Sequence, residues 1–403
     1  MKFHTKQLEV LRCIKNEKPK ILICSGAKRA GKTFVLTFAF MAHVAKYEDQ
    51  GLSFILGGAT QASIRRNILD DMESILGKEI KLNKSNAFDL FGNKVYCFDG
   101  ANSDSYKKAR GFTAYGAFLN EATTLHDTFV KEVISRCSGE GARIYMDTNP
   151  ENPTHTVKVD YVDKDGQRLS NGQLNIKAFN FTLYDNTFLN KEYVESIEAS
   201  TPSGMFYDRD ILGIWVASEG VVYKDFNKDV HYIKDLNNID IVKYFCGVDF
   251  GWEHFGSMVV VGKDVNKNYY LIKEYAYQHK DIDYWVNIAK DIVKEYGNIN
   301  FYCDHARPDY ISKLKVNGIR AINARKEVLE GISTIATLFK TNKLLILEDN
   351  VDIFKKEIYN YVWKNGKDEP VKTSDDVLDS LRYAIYTDIK LTGRQFNRKL
   401  FGI

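Results

Sequence analysis

Ile21-Leu22-Ile23-Cys24-Ser25-Gly26-Ala27-Lys28-Arg29-Ala30-Gly31-Lys32-Thr33 decides the reading of the N-terminal half. A short apolar run, Ile21–Cys24, leads into a glycine-bounded loop, and Phe34–Ala45 follows with the pattern of a helix. Gly26 to Thr33 fits G-x-x-x-x-G-K-[ST] at every fixed position and in the required strand–loop–helix context. The spacing has a chemical reason. Glycines let successive backbone N–H groups turn inward around phosphate oxygens, and the N-terminus of the following helix adds partial positive charge. Gly26, Ala27, Lys28, Arg29, Ala30 and Gly31 are expected to cradle the phosphates of ATP, Lys32 to reach the β- and γ-phosphates, and Thr33 to hold Mg²⁺. A glycine-rich turn matching by chance is the bland alternative, and the flanking elements argue against it.

Working outward, Leu52–Leu56, Ala114–Leu119 and Arg143–Met146 are further short apolar runs, with a helix expected over Ala62–Ile75. Strands alternating with helices predict an α/β unit with a parallel sheet covered on both faces. Tyr115–Leu119 ends on Asn120-Glu121, where a strand carrying the nucleotide-site carboxylates ends. Asn120 is a neutral amide able to hold a magnesium-bound water, and Glu121 is placed to orient or deprotonate the attacking water. Thr154–Phe181, polar and glycine-containing, reads as a β-hairpin excursion.

The second half restarts with Tyr244–Phe250, Ser257–Gly262 and Tyr269–Tyr277, the pattern of an antiparallel meander. A helix (Ile282–Tyr296), a strand (Asn300–Cys303) and further alternation follow, closed by a helix at about Ser374–Ile389. That order predicts a ribonuclease-H-like mixed sheet. Asp249 and Asp304 each end an apolar strand, and Asp376 and Asp379 lie three apart on the closing helix. Grouped carboxylates supply hard oxygen ligands for two Mg²⁺ or Mn²⁺ ions that cleave a phosphodiester. Singly, each aspartate reads as a strand-end or helix-start residue; together, in this element order, they read as a nuclease cluster. Which of Asp376 and Asp379 ligates directly stays open. The boundaries expected are 1–200 for a motor domain, 201–235 for a connector, 236–390 for the nuclease domain and 391–403 for a basic tail.

Composition narrows the class without choosing it. The 403 residues are 44% apolar and 27% charged, a globular profile. A net charge of +3 is too mild to imply nucleic acid, so any DNA contact must be local. Arg325, Lys326, Lys340 and Lys343 are candidate phosphate contacts, and equally ordinary surface charge. Six scattered cysteines show no Cys-x-x-Cys pair, which excludes a zinc-finger or disulfide framework. No apolar run approaches membrane-spanning length, and the N-terminus lacks a signal core, so no membrane partner and a cytoplasmic location are expected.

These motifs resemble those of the large terminase subunits of tailed phages over nearly the whole chain. The resemblance is carried by the Gly26–Thr33 loop, Asn120-Glu121, Thr148-Asn149-Pro150, Gly247-Val248-Asp249-Phe250-Gly251 and Asp376–Tyr383. The most family-specific stretch is Met205–Val216 continuing into Glu219–Tyr223. The resemblance implies an ATP-driven motor that translocates double-stranded DNA and a two-metal endonuclease that cuts the concatemer. It implies that Thr148 and Asn149 relay nucleotide state, and that Gln7 reads adenine. Arg110 is similar to an arginine finger acting on the neighbouring subunit of a ring, with Arg29 the competitor in cis; Arg110 reads equally well as a solvated basic face. The implied partners are DNA, a portal protein, a small terminase subunit and further copies of this chain, with docking on the procapsid portal in the host cytoplasm. The tail, with Lys390, Arg394, Arg398 and Lys399 among Phe396, Leu400 and Phe401, is a candidate portal contact or an unordered end. The alternatives are a host helicase or repair nuclease on the same ATPase core, or a non-enzymatic assembly protein with decayed sites. The absence of a second motor domain disfavours the helicase, and the intact loop disfavours decay.

Overall fold

The computed structural model describes residues 2–111, 113–373 and 375–399, with 393–399 by backbone alone. The chain divides into two compact units, Met1–Glu198 with Met205–Ala217, and Ala199–Gly204 with Ser218–Ile403. The stretch 201–235 is therefore shared between them. Ile211 is fully buried in the core of the first unit, whereas Val222 and Tyr223 are buried in the second.

The first unit is built on β1 (Ile21–Gly26), β2 (Ser53–Gly58), β3 (Ala87–Leu90), β4 (Asn93–Asp99), β5 (Gly116–Leu119), β6 (Arg143–Thr148) and β7 (Ile176–Phe181). Their order is β3-β4-β2-β5-β6-β1-β7, and every pairing is parallel except β3 with β4. Successive strand residues enter opposite cores. Leu22, Cys24 and Leu56 join one cluster, while Ile21, Ile23 and Ile55 join the other. This is the two-sided burial that a parallel sheet needs. Helices α1 (Thr5–Asn16) and α2 (Lys32–Ala45) flank β1 in sequence.

Two expectations for this unit are met in part. Thr154–Phe181 holds a helix at Thr156–Asp160, then a short antiparallel hairpin over 166–176 with a bridge between Arg168 and Leu174 and backbone bonds from Asn175 to Gln167 and from Leu169 to Gln173, and then β7, so the hairpin is only part of the stretch. A strand parallel to β1 needs a crossover of a dozen or more residues, and this polar stretch provides it. The helix expected over Ala62–Ile75 breaks at a π-helical turn, Arg65–Leu69, between short α-helices Gln61–Ile64 and Asp70–Leu76.

The second unit contains β8 (Tyr232–Ile233), β9 (Ile241–Asp249), β10 (Gly256–Asp264), β11 (Tyr269–Tyr277), β12 (Asn300–Cys303), β13 (Arg320–Asn323) and β14 (Leu344–Leu347). In the order β13-β12-β9-β10-β11-β14-β8, β9–β10–β11 are antiparallel and the flanking pairs parallel. The closing helix runs Asp376–Lys399, ten residues beyond the Ile389 expected, so the backbone of 391–399 continues it; Leu400 and Phe401 lie outside the described residues. Two contacts hold this helix in place. Glu357, 2% exposed, accepts the backbone N–H groups of Val377 and Leu378 at 3.0 Å, satisfying first-turn donors. Further along, fully buried Asp388 pairs with Lys243 and with Lys263 at 2.9 Å. All six cysteines are buried and free, and no helix among the described residues is long and apolar enough to cross a membrane.

Candidate functional site

The nucleotide-type site forms where β1, β5 and β6 end on the same edge of the sheet. Gly26 has φ 143°, and a Cβ there would stand 2.0 Å from the Phe181 carbonyl oxygen; Gly31 has φ 85° at the start of α2. Both positions therefore require glycine. Lys32 is buried and donates to the carbonyls of Gly26 (2.8 Å) and Ala27 (2.6 Å) and to Asn149 Oδ1 (3.1 Å). Burial lowers its pKa to about 8, against the pull of Asp147. A cavity of about 380 Å³ opens over the loop, lined among others by Arg29, Lys32, Thr33, Glu121, Asp147 and Asn149.

Glu121 occupies the left-handed region (φ 50°), a costly conformation for a side-chain-bearing residue. Burial and neighbouring Asp147 raise its carboxyl pKa, with Arg66 and Lys32 opposing. Arg66 comes from the π-helical turn, and Asn67 of the same turn donates to Asn120 Oδ1 at 3.0 Å. Thr148 Oγ1 donates to Thr123 Oγ1 at 2.9 Å, tying the end of β6 to the loop after Glu121. Lys28 pairs with Asp210 at 3.0 Å.

Gln7 is buried, with Nε2 donating to the Gly31 carbonyl (2.9 Å) and Oε1 accepting from His4 N (3.2 Å). Its carboxamide braces the loop, and contact with a base would require exchange of those bonds. Arg110 is exposed, stacked over Tyr106 (4.5 Å) and 3.8 Å from Glu132, and is not among the groups lining the cavity; Arg29 is.

The second site lies at the ends of β9 and β12. Cys303 pairs with Val248, so Asp249 and Asp304 leave adjacent strands side by side. The closing helix crosses β9 at Gly247, where a Cβ would stand 1.9 Å from the Ser380 carbonyl oxygen, and its first turn brings Asp376 and Asp379 to the same place. Burial, and then the charges of Asp379, Asp304 and Asp376, push the Asp249 carboxyl up to about 8. Such mutual repulsion marks a site whose carboxylates need cations. Three side-chain cations are already present. Lys326 pairs with Asp304, Arg382 with Asp379 at 2.8 Å, and Lys372 with Asp379 at 3.5 Å. Among the described residues, no three of His, Cys, Asp and Glu converge tightly enough to enclose a metal ion. The acids fit hard divalent cations by donor type and by charge, with Lys326 and Arg382 giving way.

Asp379 is the strongest charged neighbour of Asp249, whereas Asp376 lines a separate pocket together with His254. Asp375, with its pKa raised to about 6 by burial and Asp379, is a further acid here that sequence reasoning did not single out; Asp147 and Arg66 are the others at the first site.

The pattern described as Terminase large subunit, T4likevirus-type, N-terminal matches residues 23–228, and the Terminase RNaseH-like domain matches 246–387. The chain belongs to the phage large terminase family. It is similar to the large terminase of a thermophilic bacteriophage at 29% identity and a TM-score of 0.81, over 97% of this chain and 100% of that one. The same thermophilic-phage terminase in complex with ADP matches at 30% identity, TM-score 0.76, over 94% and 98% of the two chains. Its complex with ATP-γ-S matches at 29%, TM-score 0.75, over 95% and 98%. No curated protein matches. The terminase is thus an α/β protein with an ATPase-type N-terminal domain and a ribonuclease-H-like C-terminal domain, and its family is that of phage DNA-packaging motors.

Proposed function

We propose that this terminase hydrolyses ATP in its first unit to drive double-stranded DNA into a procapsid, and cuts the concatemer in its second. The observation that carries the reading is the convergence of Lys32, Thr33, Glu121 and Asp147 on one cavity over a phosphate-binding loop. The thermophilic-phage terminase, similar along its whole length, is seen in complex with ADP and with ATP-γ-S. On nucleotide binding, Lys32 exchanges the carbonyls of Gly26 and Ala27 for phosphate oxygens, and the loop N–H groups orient the chain of phosphates. Mg²⁺ beside Thr33 neutralises phosphate charge when bound. Glu121 orients the attacking water and accepts its proton. Asn149, bonded to Lys32, and Thr148, bonded to the loop after Glu121, report the nucleotide state to the strand end. Arg110 is the finger offered to a neighbouring copy, and Arg29 acts on its own site if none is supplied.

In the second unit Asp249, Asp304 and Asp379 hold divalent cations, Mg²⁺ or Mn²⁺, that supply charge neutralisation at the scissile phosphate. Asp376 supports from the outer side, facing His254. The partners are DNA, a portal, a small terminase subunit and copies of this chain in a ring, met at the procapsid in the host cytoplasm. Lys32→Ala and Asp249→Ala test the division of labour. The first should lower ATP turnover by at least about 100-fold and spare cutting. The second should abolish cutting and spare ATP turnover. Loss of both activities in either folded variant sinks the reading.

A further inference from the structure

The strand end that should carry a magnesium-site aspartate carries Asn120, and a carboxylate, Asp147, stands on the neighbouring strand. Leu119 pairs with Met146, so Asn120 and Asp147 follow paired residues on neighbouring strands. Asp147 also pairs with Cys24 of β1, which places it beside the phosphate-binding loop, one strand nearer than Asn120. Asp147 is 1% exposed and surrounded by donors. Asn120 Nδ2 reaches its two oxygens at 2.9 and 3.1 Å and the Glu121 N–H reaches it at 2.6 Å; burial raises its carboxyl pKa, and the nearby Thr33 side chain, these donors and Lys32 oppose the rise. A carboxylate buried this deeply persists as an anion only when so supplied. Asn120 is excluded from the same duty by its own bonding. Its side-chain oxygen already accepts from Asn67 Nδ2 at 3.0 Å and its amide nitrogen already donates to Asp147, so both ends are engaged away from the loop.

Resting on the nucleotide reading above, we propose that Asp147, not Asn120, is the carboxylate that holds the magnesium hydration shell beside Thr33. Asn120 is then a positioning residue. It fixes the Asp147 oxygens on one side, and Asn67 of the π-helical turn fixes its own amide on the other. Thr33 and Asp147 both line the cavity over the loop, so a cation held beside Thr33 would lie within reach of the Asp147 carboxylate through its hydration shell. A purely structural Asp147 would be equally buried, but it would have no reason to share the cavity wall with the one hydroxyl that the loop motif reserves for the metal.

The test measures ATP-γ-S affinity by equilibrium titration, in EDTA and in Mg²⁺, for the intact chain and for Asp147→Asn. Asparagine keeps the shape and removes the charge. Affinity in EDTA should stay within about threefold, while the tightening produced by Mg²⁺ should shrink by about tenfold or more. Undiminished tightening in Asp147→Asn overturns the proposal. If the unaltered chain shows no Mg²⁺-dependent affinity, the nucleotide reading itself fails, a separately visible outcome. A measurement without any variant guards against misfolding. Fe²⁺ with ADP, ascorbate and peroxide should cut the polypeptide in a nucleotide-dependent way both near Thr33 and near Asp147. Cuts near Thr33 and near Asn120, with none near Asp147, refute the assignment.

Discussion

Gly247→Ala probes the joint on which the nuclease site depends. Gly247 lies on β9, paired with Val259 on one side and Tyr302 on the other, and the closing helix passes directly over it. An added Cβ would meet the Ser380 carbonyl oxygen at 1.9 Å and Ala384 Cβ at 2.9 Å. Carbon and carbonyl oxygen normally settle about 3.3 Å apart, so strand and helix must separate by roughly 1.4 Å. The obstacle is backbone, so rotamer change gives no escape, and the helix is further held by Ser257 Oγ against the Asp376 carbonyl at 2.8 Å. Overpacking of this kind costs about 1–3 kcal/mol, and a rigid contact belongs at the upper end. That corresponds to roughly 5–10 °C in the melting of the second unit. Asp376 and Asp379 ride on the displaced helix, and an ångström of misplacement lowers catalysis by about 100-fold. Calorimetry, DNA cleavage and ATP turnover should therefore show a lowered transition, weak cutting and unchanged hydrolysis. Gly262→Ala is the control, because its Cβ would meet only the side-chain ends of Ile272 and Ile241, at 2.9 and 3.0 Å, which can give. Wild-type melting and cutting in Gly247→Ala, or equal damage from Gly262→Ala, would refute the argument that helix–strand proximity positions the acids.

His43, buried with Nε2 bonded to the Tyr115 carbonyl at 2.9 Å, has its pKa lowered by burial to about 4. The unfolded chain binds this proton from about pH 6.5 downward and the folded chain does not, so stability is present above pH 6.5 and is lost as pH falls towards 4, by up to about 3 kcal/mol. His43→Gln should flatten the melting temperature of the first unit over that window; superimposable pH profiles would count against it. Trp215 Nε1 donates to Ser25 Oγ at 2.8 Å, just before the phosphate-binding loop. Trp215→Phe should loosen that strand end and weaken ATP-γ-S binding by about tenfold or less, read by titration; unchanged affinity would show that the bond does not tension the loop. Arg110→Ala should leave ATP-γ-S affinity of the single chain within about twofold while lowering turnover in assemblies, since the guanidinium faces Tyr106 and Glu132. Equal turnover in assembled wild type and variant would transfer the finger to Arg29.

The sequence revealed those parts whose chemistry is local. The loop Gly26–Thr33 and the meander from β9 to β11 could be read because glycine spacing and period-two alternation are contiguous patterns. The crossover before β7 was half legible, because its polar residues and glycines announce the short hairpin over 166–176 but not the long parallel connection that carries it. The π-helical turn at Arg65–Leu69 has no residue signature, yet it supplies both Arg66 and Asn67 to the nucleotide site. Asp147 was hidden for another reason: the apolar run of its strand stops at Met146, one residue short of it. A signal was there, an acid immediately before Thr148-Asn149, but its partner Asn120 lies on a different strand. Glu357 shows the limit most clearly, for nothing near it in sequence suggests that it caps a helix beginning at Asp376.

The two sites make opposite use of a buried aspartate at a strand end, and the difference indicates their tasks. Asp147 accepts from two donors, the Asn120 amide and the Glu121 backbone N–H. Burial still raises its carboxyl pKa, but those donors oppose the rise and fix the carboxylate in direction before any ligand arrives, as suits a group that orients a hydrated ion. Asp249 has acids for neighbours, and its carboxyl is pushed to about 8. Its charge is incompletely developed near neutrality until cations arrive, as suits a group that binds metal directly. Lys326 and Arg382 stand in for those cations at Asp304 and Asp379. On this argument a neutral substitute should fail differently at the two places. Asp147→Asn should keep nucleotide and lose its magnesium dependence. Asp249→Asn should relieve repulsion, so the second unit should melt higher than wild type in EDTA at pH 8 while it no longer cuts DNA. A lower melting temperature for Asp249→Asn in EDTA would mean that the acids are held together by bonds rather than crowded against one another.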